Sequence, residues 1–225
     1  EQVVILFAVL AVFVVLQLAI IHSYKQRVNL QLKPWQNLKP NASCRVLFAG
    51  DSTAVGTGLS DNRFSTSGLF SQDYPDVHVE NHSVNGMPLK GLIEVLQSLQ
   101  GQKFNLAVFH IGGNDILYFS PWSRVRLEHQ RVLDLAKNIA THIVILHSGD
   151  IGDSKMFLWP LSLVFTRRTL TLRDIYMKAQ DDRVAYVDII TNNKRADLTD
   201  VYADDKIHLN QKGYALWYSY IKQKL

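Results

Sequence analysis

Short apolar runs alternate with longer helix-compatible stretches from residue 45 to the end of the chain. The runs lie at 45–49, 77–80, 106–111, 143–148 and 184–188, and the clearest helical stretches at 89–100, 122–140 and 161–180. Strands separated in this way run parallel, because each intervening helix carries the chain back across the sheet. The pattern therefore predicts an α/β domain with a parallel sheet covered by helices on both faces.

A possible nucleophile follows the first apolar run, in the triplet Gly50-Asp51-Ser52. Ser52 then stands at the carboxyl end of a strand, where open α/β sheets bind their ligands. A serine hydroxyl becomes nucleophilic only beside a base that accepts its proton. Position 54 is alanine, so the Gly-x-Ser-x-Gly elbow of the α/β-hydrolases is absent. Taken alone, the triplet is more typical of an ordinary turn than of a nucleophile.

A possible hydrogen-bond donor, Asn114, follows the third run across Gly112-Gly113. Paired glycines let the backbone turn sharply and approach a ligand, and an asparagine amide can donate into a site. A second turn glycine, Gly86, ends the segment Ser83-Val84-Asn85-Gly86, and Gly91 is its local competitor. Taken alone, both Asn114 and Gly86 are also typical of plain turns.

A possible base lies near the C-terminus, where Asp205 and His208 are three residues apart. One turn can bring the carboxylate to the imidazole, the arrangement by which an acid orients a catalytic base. Asp204 is a second candidate for that carboxylate. Asn210 is placed to cap a final helix, predicted over residues 211–224.

Together these motifs resemble the SGNH branch of the GDSL esterases and lipases, of bacterial type, over roughly residues 45–225. The resemblance implies an SGNH-type (flavodoxin-like) three-layer α/β/α sandwich with a five-stranded parallel sheet. It also implies that Ser52, Asp205 and His208 are catalytic. The oxyanion hole implied by the family combines the backbone N–H groups of Ser52 and Gly86 with the side chain of Asn114. Neither a metal ion nor an organic cofactor is implied.

The remaining polar residues point to no other chemistry. The histidines lack the paired spacing of a metal site, and the single cysteine, Cys44, excludes an internal disulfide. Lysines and arginines are scattered, so the formal net charge of +4 does not predict a nucleic-acid partner. Such a charge is compatible with an anionic lipid surface.

The N-terminal run from residue 3 to 21 is apolar apart from Gln17. It is long enough to cross a hydrocarbon core of about 30 Å as one helix. The residues at 19–22 form a poor signal-peptide cleavage site, which favours a retained anchor over a cleaved signal. The chain is therefore divided into a single-pass transmembrane anchor over 1–22, a tether over 23–44 and a hydrolase domain over 45–225.

The tether carries Pro34 and Pro40 and is predicted to lie along the membrane or along the domain. Basic residues follow the anchor, which by the positive-inside rule places the hydrolase domain in the cytoplasm. The chain does not begin with Met, however, and basic residues upstream would reverse that argument. The membrane face of the domain is therefore left open.

Large apolar residues and two arginines crowd the segment 156–168. One interpretation is a flap that binds an acyl chain or touches the bilayer, with Arg167 and Arg168 meeting phosphates. The other, which we favour, is a core helix with Pro160 at its start, since large apolar side chains are usually buried.

These observations predict a membrane-held serine esterase that hydrolyses carboxylic acyl esters through an acyl-enzyme. A lipid-like ester such as a lysophospholipid is the favoured substrate, because the enzyme is held at a membrane. The alternatives are an O-acetyl esterase acting on cell-envelope carbohydrate and a catalytically silent binding or scaffold protein. An acyltransferase would use the same residues, and the sequence predicts no oligomeric state.

Overall fold

A five-stranded parallel sheet forms the centre of the domain in the computed structural model, which describes residues 2–25, 32–154 and 156–225. The spatial order of its strands is β2-β1-β3-β4-β5. Their bounds are Arg45–Gly50 for β1, His78–Asn81 for β2, Phe104–His110 for β3, Ala140–Leu146 for β4 and Val184–Tyr186 for β5. Each predicted apolar run forms one of these strands, so the predicted parallel sheet is confirmed.

Helices connect the strands and flank the sheet. Their bounds are Gln2–Lys25 for α1, Ser52–Val55 for α2, Thr66–Asp73 for α3, Leu89–Ser98 for α4, Gly113–Leu117 for α5, Trp122–Ile139 for α6, Leu161–Lys178 for α7, Ile189–Asn193 for α8 and Gln211–Lys222 for α9. The stretches predicted as helical form α4, α6, α7 and α9. The sequence did not predict α3, because its buried face includes the small polar residues Thr66, Ser67 and Ser71 instead of an apolar stripe.

The core lies on both faces of the sheet, because successive residues of a strand point to opposite sides. In β1, Leu47 and Ala49 pack into the cluster that α4, α6 and α7 cover. Val46 and Phe48 belong to the opposite cluster, which includes side chains of α9. Two apolar layers around one sheet are the three-layer α/β/α sandwich that the family resemblance implied.

The described part of the tether, from residue 32 onward, lies along the edge of the sheet. Asn37 and Val79 of β2 exchange two backbone hydrogen bonds of 2.9 Å each. The Gln36 side chain donates to the carbonyl of Asn81 at the end of the same strand. These bonds fasten residues 36 and 37 to an edge strand that would otherwise present unpaired backbone groups. Residues 26–31 lie outside the described residues.

Helix α1 contacts the domain through the buried side chain of Gln17. The Gln17 amide donates to the carbonyl of Met156 at 2.7 Å and accepts from the backbone N–H of Leu158 at 2.8 Å. Apolar side chains nearer the N-terminus of the helix, such as Phe7 and Leu10, are exposed. Within the residues that the structure describes, no helix is both long enough and apolar enough to cross a membrane. The anchor predicted over residues 1–22 is therefore not confirmed and stays a prediction.

The segment 156–168 divides between core and surface. Phe157 and Phe165 are buried and pack against each other, with ring centroids 4.4 Å apart. The side chain of Trp159 is 77% exposed, and Leu163 is exposed beside it. Helix α7 begins directly after Pro160. The favoured interpretation as a core helix thus holds for one side of the segment, while its other side faces solvent.

Candidate active site

Ser52 lies at the carboxyl end of β1, as its position in the sequence predicts. The strand ends at Gly50, where an added Cβ would lie 1.9 Å from the carbonyl oxygen of His110 on β3. Only glycine therefore fits where the two strands meet. Asp51 then caps α2 by accepting a hydrogen bond of 3.0 Å from the backbone N–H of Thr53, and Ser52 is the first residue of that short helix.

The hydroxyl of Ser52 is hydrogen-bonded to an imidazole 156 residues further along the chain. Its Oγ lies 2.9 Å from Nε2 of His208. The other ring nitrogen, Nδ1, is hydrogen-bonded to Oδ2 of Asp205. The structure thus brings the three residues predicted as catalytic into one serine–histidine–aspartate relay.

Asp205 holds its own turn as well as the imidazole. Its Oδ1 accepts the backbone N–H groups of Ile207 and His208, at 3.2 Å and 3.0 Å, which leaves Oδ2 for the ring. Asp205 is 1% exposed, whereas Asp204, the alternative carboxylate, faces solvent. Burial raises the pKa of the Asp205 carboxyl, but its hydrogen bonds and the charge of His208 outweigh burial, and the pKa lies below its usual value. The carboxylate is therefore ionised and can stabilise an imidazolium.

A second carboxyl group, Asp51, is buried directly before the nucleophile. Burial raises the pKa of Asp51 to about 6, against the hydrogen bond from Thr53 and the charge of His208. The sequence did not single out this residue, since Gly-Asp-Ser is a common turn composition. Because Asp51 directly precedes Ser52, ionisation of its carboxyl group places a negative charge next to the nucleophile in the sequence.

Asn114 follows β3, the neighbour of β1 in the sheet, and so reaches the same edge. The chain turns there at Gly112, which has a φ of +100° and whose missing Cβ leaves room for the hydroxyl of Tyr176. The Asn114 amide donates to the carbonyl of Met87 at 3.2 Å. That bond places the side chain against the segment that contains Gly86.

The segment around Gly86 is fastened to the strand that leads to Ser52. The backbone N–H of Val84 donates to the carbonyl of Gly50 at 3.0 Å. The side chain of Asn85 accepts a hydrogen bond of 2.6 Å from the hydroxyl of Thr57. Ser52, Gly86 and Asn114, the three predicted oxyanion residues, therefore lie on connected segments at one edge of the sheet.

Asp115 anchors the helix turn that carries Asn114. Its carboxylate is fully buried, accepting the backbone N–H of Leu89 at 2.9 Å and the hydroxyl of Ser120 at 3.2 Å. Burial raises the pKa of Asp115 above its usual value, against these two hydrogen bonds. Asp115 thus ties Asn114 to the N-terminus of α4.

Arg168 holds the other side of the same loop. Its guanidinium donates to three backbone carbonyls of residues 115–120, at 2.8 to 3.3 Å, and lies over the rings of Phe119 and Trp122. Arg168 is therefore engaged inside the protein, and the suggestion that it meets a phosphate is wrong for this residue. Only the neighbouring Arg167 is exposed. The sequence carries no indication of this role, because the partners are main-chain atoms about 50 residues away.

Three histidines away from the relay are buried in the domain. Burial lowers the pKa of His110 to about 3 and those of His129 and His147 to about 4, so all three are neutral at pH 7. In the described part of the chain, no group of three or more His, Cys, Asp or Glu side chains is arranged to hold a metal ion. These histidines therefore belong to the core.

Comparisons with known proteins identify the family of this chain. The model of the GDSL-like lipase/acylhydrolase family matches residues 48–216, a stretch that contains every residue of the relay. The chain belongs to this family. It is a carboxylic ester hydrolase of the SGNH/GDSL type.

Solved structures of a G-D-S-L family protein, a lipase and an esterase share the fold of this hydrolase. A lipolytic G-D-S-L protein from Veillonella parvula has a TM-score of 0.63 at 19% identity, covering 80% of this chain and 97% of that one. An extracellular lipase from Streptomyces rimosus has a TM-score of 0.66 at 14% identity, with coverages of 81% and 100%. The esterase EstA from a Pseudoalteromonas species has a TM-score of 0.57 at 17% identity, with coverages of 80% and 94%. Among curated proteins, none matches the chain by sequence.

Proposed function

We propose that this GDSL hydrolase cleaves lipid-like carboxylic esters through an acyl-enzyme on Ser52. The observation that carries the proposal is the relay of Ser52 Oγ, 2.9 Å from Nε2 of His208, with Asp205 on the far side of the ring. A serine hydroxyl so placed gives up its proton to the imidazole as it attacks a carbonyl carbon. Asp205 orients the ring and stabilises the imidazolium that forms.

Acylation begins when Ser52 Oγ bonds to the ester carbonyl carbon and its proton passes to His208 Nε2. The carbonyl π electrons move onto oxygen, and the oxyanion accepts hydrogen bonds from the backbone N–H groups of Ser52 and Gly86 and from the Asn114 amide. An asparagine amide has two N–H donors. In Asn114 one of them is bonded to Met87, which aims the side chain and leaves the other for the oxyanion.

Collapse of the tetrahedral intermediate breaks the bond to the alcohol oxygen, which takes the proton from His208. A water molecule then attacks the acyl-enzyme, giving its proton to the same imidazole. The second intermediate releases the carboxylic acid as Ser52 recovers its proton. Acylation and deacylation each return the relay to its starting protonation state, so the ester and one water molecule are the only reactants.

We also propose that the N-terminal helix holds the enzyme at a membrane as a single-pass anchor. The proposal rests on the apolar sequence of residues 3–21, because the structure does not describe every side chain of that run. The exposure of Phe7, Leu10 and Val14 supports it, since clustered exposed apolar side chains need an apolar surrounding. A membrane location makes a lysophospholipid-like ester the favoured substrate class.

The substrate class is tested with p-nitrophenyl esters from acetate to palmitate. We expect Ser52-dependent kcat/KM to rise with chain length, by up to about fourfold for each methylene group that becomes buried. Activity that peaks at acetate would contradict the lipid proposal and favour O-acetylated carbohydrate. The Ser52→Ala protein, assayed in parallel, measures the background hydrolysis of each ester.

The membrane proposal is tested by deleting residues 1–31 and separating membrane from soluble fractions. The full chain is expected to stay with the membranes through a high-salt wash and to be released by detergent, because apolar insertion does not depend on salt. The shortened chain keeps the residues bonded to β2 and is expected in the soluble fraction with its esterase activity retained. Release of the full chain by salt alone would show that it is not inserted.

A further inference from the structure

An open groove of about 510 Å³ lies beside Gly86. One wall is the segment 84–88, and the other is one face of α4, formed by Gly91, Glu94, Val95 and Ser98. Those four positions follow the spacing that places side chains on a single helix face. The volume falls in the range of about 300–1,000 Å³ that small-molecule sites occupy in proteins.

The groove adjoins one of the predicted oxyanion donors. Gly86 lines it, and the Asn114 amide donates to the carbonyl of Met87, which lines it too. An ester whose carbonyl oxygen points at these donors and whose carbon faces Ser52 therefore extends one of its two arms into the groove.

The arm that enters the groove is the acyl arm. The leaving alcohol oxygen has to lie against His208 Nε2, because it takes its proton there. Among the described residues, no lining residue of the groove comes from the loop of Asp205 and His208. A separate small pocket adjoins that loop, and it is lined by Ile207 together with Thr53 and Ser148. The alcohol arm thus lies on the side of the loop and the acyl arm on the side of α4.

The walls of the groove suit a hydrocarbon chain. Val84, Met87, Pro88 and Val95 present apolar surface, while the one ionisable side chain, Glu94, is exposed. Gly91 keeps the floor open, since an added Cβ would lie 2.9 Å from the Met87 side chain. The polar lining residues Asn85, Glu94 and Ser98 share the groove with these apolar ones, and the hydrocarbon contacts come from the apolar four.

We propose that the groove between segment 84–88 and the outer face of α4 is the acyl-chain subsite of this enzyme. It binds a medium or long hydrocarbon chain, with the carbonyl end at Gly86 and the methyl end running along α4. The proposal rests on the proposed esterase function, which it deepens by naming the residues that select chain length. Val95 lies at the middle of the helix face that lines the groove, so a larger side chain there would narrow the groove.

The test is to fill the groove and measure chain-length preference. Val95→Phe is expected to lower the ratio of kcat/KM for the laurate ester to that for the acetate ester about tenfold or more. Excluding two methylene groups, at about fourfold each, is enough for that loss. Gly91→Leu fills the same space from the next turn and is expected to lower the ratio in the same direction. Gln97→Phe, exposed on the same helix and outside the groove, is the matched control and should keep the wild-type ratio.

A binding measurement separates this proposal from the proposed function. Dodecanoate is titrated into the Ser52→Ala protein by calorimetry, with and without Val95→Phe, so that no turnover is involved. Weaker binding in the Val95→Phe protein supports the groove even if no ester is hydrolysed, in which case the esterase proposal alone fails. Unchanged binding together with an unchanged laurate-to-acetate ratio in both groove variants would overturn the acyl-chain subsite.

Discussion

Replacing Ser52 with alanine is expected to lower kcat for ester hydrolysis at least about 10³-fold while the protein stays folded. The substitution removes the oxygen that forms the acyl-enzyme and leaves His208 bonded to Asp205, so the base remains in place without a nucleophile. The Ser52 side chain is only partly buried, and its hydroxyl is bonded to the exposed side of the relay. Its removal should leave the melting temperature within a few degrees of the wild type.

Ser60→Ala is the matched control for that experiment, because Ser60 is exposed and lies outside the relay. It should retain wild-type turnover of the acetate and laurate esters. A Ser52→Ala protein with the same activity as Ser60→Ala would remove Ser52 from catalysis. Absence of activity on every ester in the wild type and in both variants would favour the alternative of a catalytically silent scaffold.

The parallel sheet explains why half of the site is predictable from the sequence. Ser52 and Asn114 each follow an apolar run, and β1 and β3 are neighbours in the sheet. Parallel strands end at the same edge, so a residue just beyond each strand reaches the same place. The alternation of strands and helices already favours placing Ser52 and Asn114 at one edge of the sheet. The family resemblance adds only the catalytic roles of the two residues.

His208 and Arg168 show where that reasoning stops. His208 follows no strand, and its loop reaches Ser52 through tertiary packing, so only the resemblance placed it in the site. Arg168 bonds to backbone carbonyls on another loop. Main-chain partners leave no pattern of residue types, and a single sequence gives no means of finding them.

The N-terminal helix raises a related question about Gln17. In the sequence Gln17 is the one polar interruption of an apolar run, and nothing there assigns it a partner. In the structure it pairs with the backbone of Met156 and Leu158, which lie just before α7. A buried amide without partners is costly, so these two bonds explain how the run tolerates the glutamine. They also fix helix α1 beside the start of the segment 156–168.

Replacing Asn114 with alanine is expected to lower kcat about 10²–10³-fold and to change KM much less. The oxyanion forms only as the carbonyl is attacked, so a donor aimed at it contributes to the transition state more than to substrate binding. The loop should keep its shape, because Asp115 and Arg168 hold it through contacts that do not involve the Asn114 side chain. Single-turnover acylation with a chromogenic ester measures the step directly.

Asn114→Asp is the isosteric control, since it keeps the volume and replaces the donor with an acceptor. It is expected to lose at least as much activity as the alanine variant, because a carboxylate repels the oxyanion. A raised KM with unchanged kcat in Asn114→Ala would instead make Asn114 a substrate-binding residue. The double variant Ser52→Ala/Asn114→Ala should be little slower than Ser52→Ala alone. Without Ser52 no acyl-enzyme forms, so the Asn114 amide has no oxyanion of that pathway to stabilise.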